Sequence, residues 1–227
     1  MKKFTLVLFV ALLSTGFTSA QDKPTKGSIG TEIQFNPFDQ DGKTFQLDGL
    51  KLRYFLTDKD ALRLKFGFGI SSGKYQEDAT EDDYVKFKTG DFSLDLGYER
   101  HFNLAKRLSW YIGGQVGAFK HFASAKQELT DDRTDRVYTV LWFNTTGEGD
   151  DADRAYTGFK ASAFTGLDFY IYKGLYIGTE LGFSGKIIKT CETKRTYRGE
   201  TEKSKDSYRE TSAGFYLEPV IRLGWSF

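Results

Sequence analysis

The sequence predicts an all-β chain, an antiparallel up-and-down transmembrane β-barrel of eight strands. Three observations carry that prediction. The last stretch sets Phe215, Leu217, Ile221, Leu223, Trp225 and Phe227 on one face, and Tyr216, Glu218, Arg222, Gly224 and Ser226 on the other. Similar alternation recurs along the chain, and the connections between alternating stretches are short and long by turns. The chain is polar overall, with 28% charged residues, yet 16% aromatic, with 13 Tyr, 21 Phe and 24 Gly. A barrel reconciles these, because only every second strand residue meets lipid while lumen and loops meet water.

The first twenty residues read differently from the rest. Lys2 and Lys3 precede an apolar run from Phe4 to Leu13, followed by Thr18, Ser19 and Ala20. This is the layout of a cleaved signal peptide over 1–20, leaving 21–227 as a barrel domain with long extracellular loops. A run of roughly 10 apolar residues is too short to span a membrane as a helix. No cysteine stands at the cleavage point to accept a lipid.

Eight stretches then alternate. Ile29, Thr31, Ile33 and Phe35 oppose Glu32 and Gln34; Leu50, Leu52, Tyr54 and Leu56 oppose Lys51 and Arg53. After a turn at Thr57 to Asp60, Leu62, Leu64, Phe66, Phe68 and Ile70 oppose Arg63 and Lys65. Phe92, Leu94, Leu96 and Tyr98 oppose Asp95 and Glu99, and after a turn at Asn103 to Arg107, Trp110, Ile112, Val116 and Ala118 oppose Tyr111 and Gln115. Phe159, Ala161, Leu167, Phe169 and Ile171 oppose Lys160 and Asp168. A tight turn at Tyr172-Lys173-Gly174 leads to Ile177, Leu181 and Phe183 opposing Glu180, and the C-terminal stretch is the eighth. Long polar segments at 36–44, 72–90, 120–157 and 186–212 are read as surface loops, and the short turns as periplasmic.

Two places strain this scheme. Arg136 to Phe143 has strand character inside the third long loop. A ninth spanning strand would put the chain ends on opposite sides, so the segment is expected to stand above the membrane as an extracellular ribbon or a packed loop element. Pro219 removes a ladder donor from the last strand, and a local kink near the outer rim is expected there. A soluble sandwich or lipocalin also alternates, but it turns its apolar face inward, leaving the opposite face, with Arg53, Arg63, Lys65, Glu99 and Glu180, to water.

The inward set is Lys51, Arg53, Arg63, Lys65, Asp95, Glu99, Lys160, Asp168, Glu180, Glu218 and Arg222, nearly balanced in sign. Two readings follow: a gated polar pathway, or a salt-bridged plug. Eight strands leave an interior just wide enough for side chains, and buried charges must be paired, so the plug is the expectation.

From Gly27 to Phe227 the chain resembles the small eight-stranded outer-membrane proteins of the OmpA/OmpX type, and its style is similar to outer-membrane β-barrel domain proteins of the Bacteroidetes type. The terminal Phe227 resembles the C-terminal insertion signal of such barrels. The resemblance implies the outer membrane of a Gram-negative cell as location, outer-membrane lipid and lipopolysaccharide as surroundings, and the barrel assembly machinery as a partner during insertion. Lipid A acyltransferases and deacylases share the scaffold, so a nucleophile has to be sought. His101 falls at the periplasmic end, and His121 near the outer rim has Ser124 and Asp131 close in sequence. That set is weakly defined, and no enzymatic role is expected.

Nor is a cofactor or metal expected. Glu148, Asp150, Asp151 and Asp153 form an acidic run without the ordered spacing of a calcium loop. A net charge of +1 gives no long-range attraction to nucleic acid, and Cys191 alone excludes an internal disulfide framework. The third loop is acidic and the fourth basic, so the two are expected to pack on each other. A basic loop of Lys194, Arg195 and Arg198 binding lipopolysaccharide phosphates is the alternative. The expected role is structural or surface-binding, with Tyr138, Trp142, Lys194, Arg195 and Arg198 as contact residues. A binding subunit of a larger outer-membrane assembly, joined to another outer-membrane protein through the 136–143 ribbon, is the second reading.

Overall fold

The computed structural model describes residues 23–35, 50–76, 84–131, 136–149, 152–204 and 208–227, and the expected signal segment lies outside them. The described elements are antiparallel strands: β1 (Ile29–Phe35), β2 (Leu50–Phe55), β3 (Asp60–Gln76), β4 (Tyr84–Ala105), β5 (Leu108–Asp131), β6 (Arg136–Phe143), β7 (Tyr156–Tyr172), β8 (Leu175–Thr190), β9 (Thr193–Tyr197), β10 (Glu200–Ser204) and β11 (Arg209–Ser226). Eight of them close a ring, in the order β1, β2, β3, β4, β5, β7, β8, β11 and back to β1. The seam joins the first strand to the last, from Gly30 opposite Ser226 to Phe35 opposite Ile221. Phe227 extends it, its backbone N donating to the Ile29 carbonyl at 2.9 Å and its carbonyl accepting from Ile29 N at 2.8 Å.

The wall is inside out relative to a soluble protein. Leu62, Phe68, Leu96, Val116, Leu181 and Phe183 are exposed on its outer face, whereas Arg53, Arg63 and Arg222 are among the most buried side chains. On β3 the outward apolar positions run from Leu62 to Ile70, close to the roughly 9–11 residues that a tilted strand uses to cross a bilayer.

Strands β4 and β5 have 22 and 24 residues, about twice that span. Above the apolar belt their alternation changes sign. Inward positions become apolar, with Val85, Ala125, Val140 and Trp142 forming a buried cluster backed by Phe87, Leu129 and Tyr197. Outward positions become charged, with Lys86, Lys88 and Lys126 exposed. Water rather than lipid lies outside at that height, so the apolar face turns in. Here β5 changes partner: Leu108 to His121 pairs with β7, and Ser124 to Asp131 pairs with β6. The upper parts of β3, β4 and β5 thus continue through β6, β9 and β10 as one sheet that stands beyond the apolar belt.

Several expectations are corrected. Most of the segments 72–90, 120–157 and 186–212 is strand, because the sign change hid the continuing alternation; 36–44 lies outside the described residues. The segment 136–143 is the expected ribbon, yet both its edges are already paired, with β5 and β9. The register shift around Pro219 sits between Glu218 and Arg222, opposite Glu180 and Gly178, halfway up the wall rather than at the rim. The turns at Lys173-Gly174 (φ 44° and 79°) and Arg198-Gly199 (φ 50° and 84°) each put two residues in the left-handed region, as two-residue hairpins require.

One lumen glycine is needed for space. Gly166 lies directly across from Tyr111, whose ring and hydroxyl occupy the place where a Cβ would stand, with the Thr179 carbonyl 2.6 Å away on the other side. Gly166→Ala is therefore expected to destabilise the refolded barrel by about 1–3 kcal/mol. Gly214→Ala, where nothing lies within 4 Å, is the control. Urea unfolding midpoints in lipid check both, and equal midpoints would contradict the packed lumen.

Candidate functional site

Inward positions of all eight barrel strands converge on one network. Arg222 meets Asp168 at 3.1 Å, Asp168 meets Arg53 at 2.7 Å, and Arg53 meets Glu99 at 2.8 Å. Glu99 meets Arg63 at 3.1 Å, Arg63 meets Glu180 at 2.8 Å, and Glu180 meets Lys51 at 3.5 Å. Lys51 meets Glu32 at 2.8 Å, and Glu32 returns to Arg222 at 3.2 Å. Four cations and four carboxylates thus alternate around a closed circuit, with every one of these side chains 1% exposed or less, Arg63 at 2% apart. Tyr111 supplies the remaining strand, donating to Glu180 at 2.7 Å.

Aromatic rings fill what the charges leave. Tyr176 donates to Glu32 at 3.1 Å, and the Arg53 guanidinium lies 5.0 Å from the Tyr111 ring and 5.5 Å from the Tyr176 ring. Arg63 stands over Phe164 at 4.1 Å. Guanidinium planes suit this role, since they form forked bonds in their plane and stack on faces above it. Above the circuit Lys160 pairs with Asp95 at 2.9 Å, and Lys65 lies across from Asp95 in register. Glu218 falls at the bulge, and its side chain lies outside the described ones.

Of the inward residues named from sequence, the structure brings Lys51, Arg53, Arg63, Glu99, Asp168, Glu180 and Arg222 into the circuit. Sequence reasoning left out Glu32 and the tyrosines. Glu32 and Tyr111 were readable from their alternation opposite Ile33 and Ile112; Tyr176 was not, because tyrosine occurs on either face of a barrel strand.

Both histidines are engaged. His101 lies between Glu99 at 3.2 Å and Ser109 at 3.3 Å, all three buried at the end of the barrel that carries the short turns. The order serine, histidine, glutamate looks like a nucleophile with its base, but Glu99 is held by Arg53 and Arg63 and all three side chains are buried. His121 bonds Asp91 at 2.8 Å and Asp153 at 3.1 Å and stacks on Tyr156. Ser124, three residues on, lies on the opposite face, which dissolves the His121–Ser124 pairing; the Asp131 side chain lies outside the described ones. Among the described residues no group of three His, Cys, Asp or Glu is placed to hold a metal, and Asp150 and Asp151 lie outside them.

The outer contact residues need correction. Trp142 is 8% exposed, since it faces the inner side of the sheet beyond the apolar belt, under Arg195, whose guanidinium lies 5.1 Å from its ring. Arg195 also pairs with Glu148 at 3.2 Å. Arg198 covers Tyr138 at 3.9 Å and Tyr197 at 5.1 Å. Acidic third and basic fourth segments thus pack on each other, as their charges led one to expect. Lys194 remains exposed. The ribbon presents Val137 and Phe143 outward instead, a choice that Arg-Val-Tyr-Thr-Val-Leu-Trp-Phe conceals because both of its faces are apolar.

A closed up-and-down barrel with lipid-facing apolar residues and a charged interior defines an outer-membrane β-barrel protein. Comparison with known families agrees: residues 36–227 match the model of the putative OmpA-OmpF-like porin family, and the chain belongs to that family. No curated protein matches it significantly. Among solved structures it is similar to the N-terminal β-barrel domain of Pseudomonas aeruginosa OprF, with 14% identity, 90% of this chain and 100% of that one covered, and a TM-score of 0.41. It is also similar to the outer membrane protein AlkL in DMPC bilayers, with 12% identity, 94% and 96% coverage, and a TM-score of 0.38.

Removing one member of the circuit strands its partners. Arg222→Ala, which leaves Glu32 and Asp168 short of a cation, is expected to cost about 3–5 kcal/mol. Arg195→Ala, at a more exposed pair, is expected to cost about 1 kcal/mol or less. Urea unfolding of the refolded protein checks the contrast, and similar losses would mean that the circuit is not what holds the wall.

Proposed function

We propose that the protein is a closed outer-membrane anchor, exported by a cleaved signal peptide, that holds an extracellular sheet above the membrane in a structural or surface-binding role. The observation that carries this reading is the alternating circuit of eight buried charges across the lumen. An eight-stranded barrel has little interior beyond its side chains, and here those side chains bond one another rather than line a path. The continuation of β3, β4 and β5 into the extracellular sheet supports the display role, because the sheet is rigidly coupled to the wall.

In planar bilayers the protein is expected to give no large, stable openings, while Arg53→Ala and Arg222→Ala raise conductance or its frequency. Large stable openings in the parent would overturn the closed anchor. Cys191 is half-buried in the extracellular segment, so a membrane-impermeant maleimide is expected to label it on intact cells. Labelling only after lysis, together with protection of the same segment from external protease, would invert the topology. Lipid A mass profiles are expected to be unchanged by loss of the gene, and altered acyl chains would instead support an enzyme.

A second reading is favoured by the edge of β10 at Thr201 and Lys203, which no described strand pairs on its outer side. Assembly with another outer-membrane protein would use this edge and not the ribbon β6. The two-residue turn at Arg198-Gly199 makes Glu200 and Glu202 the residues bonded to β9, so Thr201 and Lys203 point their backbone groups outward. Thr201→Pro is expected to abolish such strand addition while leaving the hairpin formed, as crosslinking through a neighbouring cysteine would report.

A further inference from the structure

The outer wall just above the apolar belt carries a charge pattern that the barrel does not need. Lys74 on β3, Lys86 on β4 and Lys126 on β5 stand directly opposite one another across three adjacent strands, and all three are exposed. Opposite Cβ atoms in antiparallel strands are about 4.5–5.5 Å apart, and like charges so placed repel. Lys88 lies one outward position lower, between Ser72 and Ser124.

One carboxylate enters this group among the described residues. Glu128 lies 2.5 Å from Lys126 and is held below the usual carboxylate range by hydrogen bonds from Lys126 and Tyr84. The Tyr84 ring carries Lys74 at 4.1 Å and Lys86 at 4.6 Å. Among the described residues four cations therefore face a single anion. They line a groove of about 650 Å³ with Ser72, Ser124, Leu141 and Phe143.

Height and orientation point to the occupant. The groove opens on the outer face of the wall at the upper margin of the apolar belt, and beneath it the exposed side chains are Ile70, Phe68 and Phe92, with Lys120 across from Phe92. Cations above and apolar side chains below match an amphiphile standing in the outer leaflet. We propose that this groove binds the phosphorylated headgroup of an outer-leaflet lipid, with phosphate oxygens accepting from Lys74, Lys86, Lys88 and Lys126 and acyl chains lying along Phe68, Ile70 and Phe92. Phosphate suits the site because one group accepts several charge-assisted hydrogen bonds at once and cancels the repulsion along the row. The site is separate from Lys194, Arg195 and Arg198, and it rests on the reading of the wall as lipid-facing up to Ile70.

The test uses the full chain folded in phosphatidylcholine vesicles, with and without a diphosphorylated lipid A, its dephosphorylated form, or inorganic phosphate. The diphosphorylated lipid is expected to raise the unfolding midpoint and to remain bound in native mass spectrometry, whereas the other two do neither. Lys74→Gln, Lys86→Gln and Lys126→Gln together are expected to weaken that response roughly 100-fold in apparent affinity. In phosphatidylcholine alone the triple variant should be at least as stable as the parent, because the repulsion is gone. Lys194→Gln should respond like the parent. An undiminished response in the triple variant, or equal stabilisation by the dephosphorylated lipid, would overturn the site; stabilisation by inorganic phosphate alone would replace the lipid by a free anion. Bilayer conductance on the same samples separates the anchor reading: stable openings with the lipid response intact would remove the closed lumen and leave the lipid site standing.

Discussion

The charge circuit in the lumen is the constraint on which the rest of the wall depends. Taking eight charges out of water costs several kcal/mol per ion, and attraction offsets that only when each ion keeps its partners and geometry. Here every carboxylate touches at least two cations and every arginine at least two carboxylates. That demand fixes the neighbours. Glycines face the lumen where Tyr111 and Tyr176 lie across from them, since a side chain there would push the rings out of the stack on Arg53. The narrow barrel and the balanced network are thus one solution to one problem.

A second constraint acts along the strands rather than across them. The two faces of β4 and β5 exchange polarity near Phe87 and Ala123, with no break in hydrogen bonding between the strands. Below, lipid outside and ions inside set the pattern; above, water outside and the cluster of Val85, Val140 and Trp142 inside reverse it. The exchange marks the upper edge of the bilayer more sharply than composition does. It also explains how a sheet grows from the wall beyond the apolar belt with no break in pairing: the same strands continue, and only the surroundings change.

How much was legible follows from these two constraints. The eight spanning strands and their turns were readable because lipid imposes a period of two on outward residues, so Leu62 to Ile70 or Leu94 to Tyr98 cannot be mistaken. The lumen arginines were readable for the same reason. What escaped was the part above the membrane, where the sign change made Lys74 to Gln76 and Tyr84 to Lys88 look like polar loop. The ribbon's buried face escaped as well, since Val137 and Tyr138 are both good strand residues and only the packing of Arg195 on Trp142 decides between them. The lysine row depended on register: Lys74, Lys86 and Lys126 are far apart in sequence, and nothing short of pairing β3 with β4 and β4 with β5 aligns them.

The seam gives the C-terminus its weight. Glu32 on β1 and Arg222 on β11 close the charge circuit, and those two strands are joined only when the ends of the chain meet. Until then Glu32 lacks Arg222, Asp168 lacks one of its two cations, and the lumen holds uncompensated charge. Barrel closure and charge pairing are therefore the same event, which makes closure cooperative: strands paired without the last one form a sheet whose ionic face has to stay in water and cannot enter lipid. Phe227 sits at the end of that seam, with its backbone bonded both ways to Ile29. The Ile29–Phe227 pair thus ends the ladder between the two strands that carry Glu32 and Arg222.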